Sequence, residues 1–255
     1  MRRGKATTAA MAVVLALSSL LTLLPAAADP LTDPDSLWKI VHGNCVPAQQ
    51  SQGRPGECRF VDLAGRYAVL KDLRGDTRFL LLPTEQIPGI ESPRLLQPRS
   101  VNYWRAAWEA RRYVEERAGR PLPRDMIGLA INSRRRSQNQ LHIHIDCVQP
   151  DLRTALRQHE MEISEQWSMQ PLSLAGHMYY ATRIIGTQLD IDPFQRLAQR
   201  LADPTSEMGR QSLSLIGAEF SDGRSGFYLL DSPAGERGAT VDVVLDRACR
   251  LLRAN

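Results

Sequence analysis

Short apolar runs broken by turn-forming residues recur from Tyr67 onward, and their spacing divides the chain into strands and helices. Tyr67–Lys71 and Thr77–Leu82 read as two strands joined by the turn Asp72–Asp76. Pro83, Pro88, Pro93 and Pro98 then hold the chain extended, because each ring fixes φ and removes a backbone donor. Val101, Trp104, Ala107, Trp108 and Val114 fall at helical spacing and predict a helix from Val101 to about Ala118, with Gly119 as its stop. Met126–Ile131 and Gln140–Val148 predict adjacent strands around the polar loop Asn132–Asn139. Pro150 opens a second predicted helix running to about Trp167, with Asp151 at its positive end. A short helix near Phe194–Leu201, a hairpin (Leu213–Phe220 and Gly226–Leu230, turned at Asp222-Gly223) and a terminal helix from about Thr240 complete the pattern. Mostly antiparallel sheet with helices packed on it predicts an α+β fold.

One strand carries more than packing. Successive side chains of a strand point to opposite faces, so Leu141, Ile143 and Ile145 share one face while His142, His144 and Asp146 share the other. The apolar face anchors the strand; the polar face holds two imidazoles and a carboxylate rigidly above it. The chain has five histidines in 255 residues, so two on one short strand face point to chemistry. Three readings fit the residues alone. One imidazole is a nucleophile toward phosphorus, oriented by its neighbours. His142, His144 and Asp146 bind zinc, as two imidazoles and a carboxylate can. Or the three are polar residues on a solvated strand face. Trp104 and Trp108 read as helix core, His42 and His159 as ordinary residues, and His177 as a structural hydrogen-bonder or pocket residue.

Arg2, Arg3 and Lys5 precede an uncharged stretch of 23 residues, Ala6 to Ala28, with its strongly apolar part at Met11–Leu24. A basic start, a leucine-rich middle and a small-residue exit have the layout of a secretory signal, cleaved or retained as an anchor. Residues 1–28 are therefore expected to target the chain, and 29–255 to form the exported catalytic body, with a degenerate second lobe from about 171 as an option. The body holds 29 Lys and Arg (32 less the three in 1–28) against 28 Asp and Glu, so nucleic-acid binding finds no support in charge. Its four cysteines, an even count in an exported chain, predict two disulfides. We expect Cys45–Cys58 as a local clip and Cys147–Cys249 tying the C-terminus to the histidine strand.

The residues around that strand resemble the histidine triad superfamily of nucleotide hydrolases and transferases. Gln138 and Asn139 stand four and three residues before His142, where the superfamily has Gln and a small hydroxyl or amide residue, and Asn132 ends the preceding strand. Ala68–Asp72 and Thr77–Ile87 resemble its two-strand segment, and the resemblance implies that Asp72 touches the ribose hydroxyls. The chain departs from the pattern at Asp146, where a third His is usual, and at Arg78, another usual His. A narrower likeness spans nearly the whole body. Leu37–Pro47, Glu91-Ser92-Pro93, Ala130–Ser133, the histidine strand, Gly176-His177-x-Tyr179 and the cysteine spacing are similar to bacterial CDP-diacylglycerol pyrophosphatases, which accept a non-His residue at the third position.

That resemblance implies an antiparallel sheet of histidine-triad type and cleavage of CDP-diacylglycerol to CMP and phosphatidate at the outer face of the inner membrane, with no cofactor and an optional homodimer. In this reading His144 attacks the cytidylyl phosphorus, a backbone carbonyl fixes its tautomer, and His142 and Asp146 orient the site. Gln138, Asn139 and Asn132 donate to the phosphoryl oxygens, and Asp72 meets the ribose. From the residues alone, the run Arg134-Arg135-Arg136 reads as a pyrophosphate or head-group contact or as a solvated loop charge run, and Lys71 as a nucleotide contact or an ordinary strand-edge lysine. Two alternatives stay open on the residues: a zinc hydrolase built on His142, His144 and Asp146, and a non-catalytic nucleotide-binding protein.

Overall fold

Nine strands, every neighbouring pair antiparallel, form one sheet in the computed structural model, which describes Met1, residues 33–235 and 238–253. They are β1 (Phe60–Asp62), β2 (Tyr67–Lys71), β3 (Phe79–Pro83), β4 (Ile127–Ile131), β5 (Ile143–Cys147), β6 (Leu172–Leu174), β7 (His177–Ile185), β8 (Gln211–Glu219) and β9 (Ser225–Pro233). Their order is β1-β2-β3-β5-β4-β8-β9-β7-β6. The histidine strand β5 thus lies inside the sheet, with Leu80 of β3 opposite His144 on one side and Ala130 of β4 on the other. Residues after Pro171 extend the same sheet through the β4–β8 pairing. The α+β architecture expected from the pattern is the one observed; the targeting segment 1–28 lies outside the described residues. No helix among the described residues is long and apolar enough to cross a membrane.

One sheet face is covered from end to end. Phe79, Leu81, Ile143, Ile145, Leu129, Leu215 and Phe227 pack there against Trp104 and Trp108 of helix α1 (Tyr103–Ala110) and Val114 of α2 (Arg112–Ala118). The expected single helix is two, separated at Arg111, and α2 ends at Gly119 with φ 72°, as the left-handed stop requires.

The opposite face carries two separate covers. At the β1–β3 end, the helical segment Ser36–Gln52, clipped by Cys45–Cys58, lays Val41 on Ala68, Leu70, Leu80 and Leu82. At the other end, Leu152 and Leu156 of α3 (Pro150–Gln158), with Val241, Val244 and Leu245, cover Ala130, Ile216, Tyr228 and Leu230. The two covers do not meet over β5. A functional cavity lies in that gap because the fold leaves the polar face of the histidine strand unroofed.

Three helical expectations change in tertiary context. The helix from Pro150 stops at Gln158 rather than Trp167, because the Glu160 carboxylate turns inward to accept from the backbone and hydroxyl of Ser221 at 2.8 and 2.5 Å. The chain then runs alongside β7, through Arg183 N to Ser164 O and Ser168 N to Ala181 O. The terminal helix is one turn, Val241–Val244, because Leu245 bridges to Val148 and Cys249 bonds to Cys147. That approach needs Gly128: a Cβ there would sit 2.7 Å from Leu245 and 2.8 Å from Ile216. The pattern reading also assigns no strand at β7. Both expected disulfides are present.

Candidate active site

The gap over β5 is a cavity of about 900 Å³. Its floor is His142 and His144. Its walls are the first turn of the N-terminal helix, the turn after β2, the loop before β5 and the segment 240–247. Six basic side chains against three acidic ones line it, a balance suited to an anionic ligand.

His144 is the group this architecture isolates. Its side chain is 12% exposed, and neither ring nitrogen has a hydrogen-bond partner among the described residues. Nδ1 lies 3.7 Å from the Asp72 carboxylate, too long for a direct hydrogen bond and close enough to favour the proton on that nitrogen. Nε2 is then left with its lone pair. Burial pushes the imidazole below its ordinary pKa, Asp72 pulls the other way, and the net is downward, so the ring is neutral at pH 7. Asp72 itself is held below the usual carboxylate range: burial raises it, but His144 and the Arg74 N–H together outweigh burial. The carboxylate that the resemblance assigned to ribose therefore faces the imidazole.

His142 sits just before β5, its ring edge-on to His144 with centroids 4.8 Å apart. Its Nδ1–H donates to the Gln140 carbonyl at 2.7 Å. The carbonyl expected to fix His144 thus fixes its neighbour instead. Burial, then the nearby His144, push His142 down to about 3, so it too is neutral across physiological pH.

Asp146 shares the polar face but does not enter the cavity. It is fully buried and accepts from Thr77 Oγ1 at 2.6 Å, Arg78 Nε at 3.0 Å and its neighbour's backbone N–H at 2.9 Å. Burial raises its pKa, and those three donors oppose the rise. The two departures from the superfamily pattern are therefore partners of each other. Arg78, 1% exposed, bridges on to Asp242 at 3.1 Å and to the Leu245 carbonyl at 3.4 Å, and Asp242 is gripped by Arg247. This network places Arg78, Asp242 and Arg247 together in the cavity lining that includes His144.

The amide residues before the strand have other work than expected. Gln138 borders the cavity, but its Oε1 accepts from Ser36 Oγ and the Leu37 N–H at 2.8 and 3.1 Å, and its Nε2 donates to the Asp33 carbonyl at 2.9 Å. Asn139 is exposed outside the cavity; its Nδ2 reaches Asp35 and its N–H the Pro34 carbonyl. Together they clasp the N-terminal segment onto the loop before β5. Arg134 also lies away from the cavity, over Gly209. The loop arginines that do line it are Arg135 and Arg136, the latter held by a bidentate pair with Glu91 at 2.9 and 2.5 Å. Asn132 lines the cavity as expected, its Oδ1 accepting from the Val241 N–H at 3.0 Å and its Nδ2 left for a ligand. Lys71 lines it too, while its ammonium clamps the Asp72 and Gly75 carbonyls at 2.7 Å each. His177 is not a cavity residue.

Thr240, Asp242 and Arg247 were missed by sequence reasoning. Their signal was the Cys147–Cys249 pair, which obliges the preceding ten residues to lie beside the histidine strand. A zinc site on His142, His144 and Asp146 does not fit, because Asp146 has both oxygens committed and is sealed from the cavity. Among the described residues no group of three His, Cys, Asp or Glu side chains is placed to hold a metal.

Comparison with known proteins identifies the family. A family model described as CDP-diacylglycerol pyrophosphatase matches residues 32–253. A Yersinia pestis protein of that name is 38% identical over 226 residues, spanning 87% of this chain and 86% of its own length. With the match covering every cavity wall, the chain belongs to the CDP-diacylglycerol pyrophosphatase family.

Proposed function

We propose that this hydrolase cleaves the pyrophosphate of CDP-diacylglycerol by a double displacement in which His144 is the nucleophile. Nε2 attacks the cytidylyl phosphorus in line. The bond from that phosphorus to the bridging oxygen breaks, and its electron pair leaves with phosphatidate. Water then attacks the CMP-imidazole, the P–N pair returns to Nε2, and CMP departs as the water's proton is released. Splitting one hard displacement into two is the benefit of a covalent nucleophile.

The observation that carries this reading is a neutral, buried imidazole whose Nε2 has no hydrogen-bond partner among the described residues and a carboxylate 3.7 Å from Nδ1, inside a cation-lined cavity. Asp72 orients the ring and stabilises the positive charge that builds on it during attack, contracting its distance as the site fills. The departures at Arg78 and Asp146 suit this substrate. Phosphatidate leaves as a phosphate monoester with a second pKa near 6, so it calls for cationic stabilisation more than for a proton. Arg78, Arg136 and Arg247 supply that field, and Asn132 Nδ2 donates to a phosphoryl oxygen. The apolar stretch Met11–Leu24 and the lipid substrate together support work at the periplasmic surface of the inner membrane.

Hydrolysis of CDP-diacylglycerol in detergent, with excess EDTA and heavy-oxygen water, tests the scheme. CMP and phosphatidate should form despite the chelator, with the label in CMP. Label in phosphatidate would place attack on the other phosphorus and remove the assignment.

A further inference from the structure

We infer that the cavity is divided into a nucleotide end and an acyl end, and that Leu37, Ile40, Leu70, Leu80 and the exposed Leu73 form the seat of the substrate's diacylglycerol. This deepens the function proposed above and rests on it. Leu70, Leu80 and His144 lie in one row across three neighbouring strands, since Leu70 pairs with Leu80 and Leu80 with His144. Strands are spaced about 4.8 Å apart, so apolar surface begins one strand from the nucleophile and continues for about 10 Å. Leu37 and Ile40 of the N-terminal helix roof that row, held there by the Gln138 and Asn139 clasp. Arg78, Arg136 and Arg247 come from the residue before β3, the loop before β5 and the 240–247 segment, while Lys71 and Arg74 border the apolar row on its β2 side.

Leu73 sets the direction of exit. It is next to Asp72, lines the cavity, and is 78% exposed. Scattered exposed leucines are ordinary on a protein surface. This one lies on the turn after β2, three residues past Leu70, and lines the cavity beside exposed Arg74. The substrate makes the same demand. Its ester carbons begin a few bonds from the departing phosphate, so an apolar path must start near His144 and reach solvent or lipid. Leu80 and Leu70 beside His144, with exposed Leu73 on the adjoining turn, meet both conditions.

The test compares wild type with Leu73→Asp in the full chain, on CDP-diacylglycerols with two hexanoyl, octanoyl or lauroyl chains, alongside the inhibition constant of CMP. Leu73 lies on an exposed turn, and Leu37→Asn gives a second, independent probe of the roof. Wild-type kcat/KM should rise with chain length. Each variant should flatten that rise and lower kcat/KM on the lauroyl substrate about tenfold through KM, as expected for losing a leucine's apolar contact. The CMP constant should stay within twofold. A wild type indifferent to chain length, variants that keep its full chain-length preference, or a CMP constant that worsens in step with KM overturns the acyl seat alone. A wild type that hydrolyses none of the three substrates overturns the underlying function, and the seat with it.

Discussion

Replacing Asp146 with alanine should destabilise the protein far more than its position outside the cavity suggests. Asp146 is 0% and Arg78 1% exposed, so the substitution strands a buried guanidinium that has lost its closest carboxylate. Thr77 Oγ1 and the Cys147 N–H lose their acceptor as well. Breaking a buried pair by removing one partner costs about 3–5 kcal/mol. Arg78 keeps Asp242, whose side chain is 54% exposed and therefore a weaker counter-charge, which places the loss near the lower end, about 3 kcal/mol. For a domain of this size that lowers Tm by about 6–12 °C. Scanning calorimetry at pH 7 reads it directly. The double variant Arg78→Met/Asp146→Leu should recover most of the loss, because an apolar pair of similar volume removes both desolvation penalties. Its kcat should still fall, since the cation that Arg78 supplies to the cavity lining is gone. An Asp146→Ala protein melting within about 2 °C of wild type, or a double variant as unstable as the two singles summed, would refute the reasoning.

Three further outcomes follow from the same network. His142 is held at about 3 when folded against 6.5 for a free imidazole, so the unfolded chain takes up the extra proton as pH falls. Stability is complete above pH 6.5 and lost below it, by about 2 kcal/mol between pH 7 and 5 from His142; denaturant melts should show that much less slope in His142→Gln, which keeps the contribution of His144, than in wild type. Asp72→Asn removes the charge that opposes the downward shift of His144, so the acid limb of kcat/KM, already below pH 6.5 in wild type, should move lower still while kcat drops about 100-fold. A pH–rate profile with an unmoved acid limb would detach Asp72 from His144. Loss of the Cys147–Cys249 bond, closing a separation of 102 residues, should destabilise the fold by about 3–5 kcal/mol and raise KM as the Asp242–Arg247 wall loosens, read by melts and kinetics of Cys147→Ala/Cys249→Ala.

The chemistry-bearing strand was legible because two local rules coincide there. Strict alternation put Ile143 and Ile145 in the core and His144 above it, and the scarcity of histidine made the pair conspicuous. The disulfides were legible from count and spacing, while Asp72 was named only through the family resemblance, as a ribose contact, and lies beside the His144 ring. The sequence could not say what long side chains bond to across the fold. Gln138 has the composition of a phosphate donor, yet its partners Ser36 and Leu37 lie about 100 residues away in sequence and consume its acceptor oxygen. Arg78 and Asp146, separated by 68 residues, read as two independent departures from a pattern and are one ion pair. The overlong helix after Pro150 has the same origin: Glu160 suits a helix locally but is drawn into the turn at Ser221.

The account stands on a covalent CMP adduct at His144, and a single-turnover quench into alkali with short-chain CDP-diacylglycerol, followed by digestion and fragment-ion mass spectrometry, looks for it directly. The account requires one cytidylyl group on the peptide bearing both histidines, with fragment ions placing it on His144, and its absence in His144→Ala. An adduct on His142, or full single-turnover conversion with no adduct at any quench time, would contradict it.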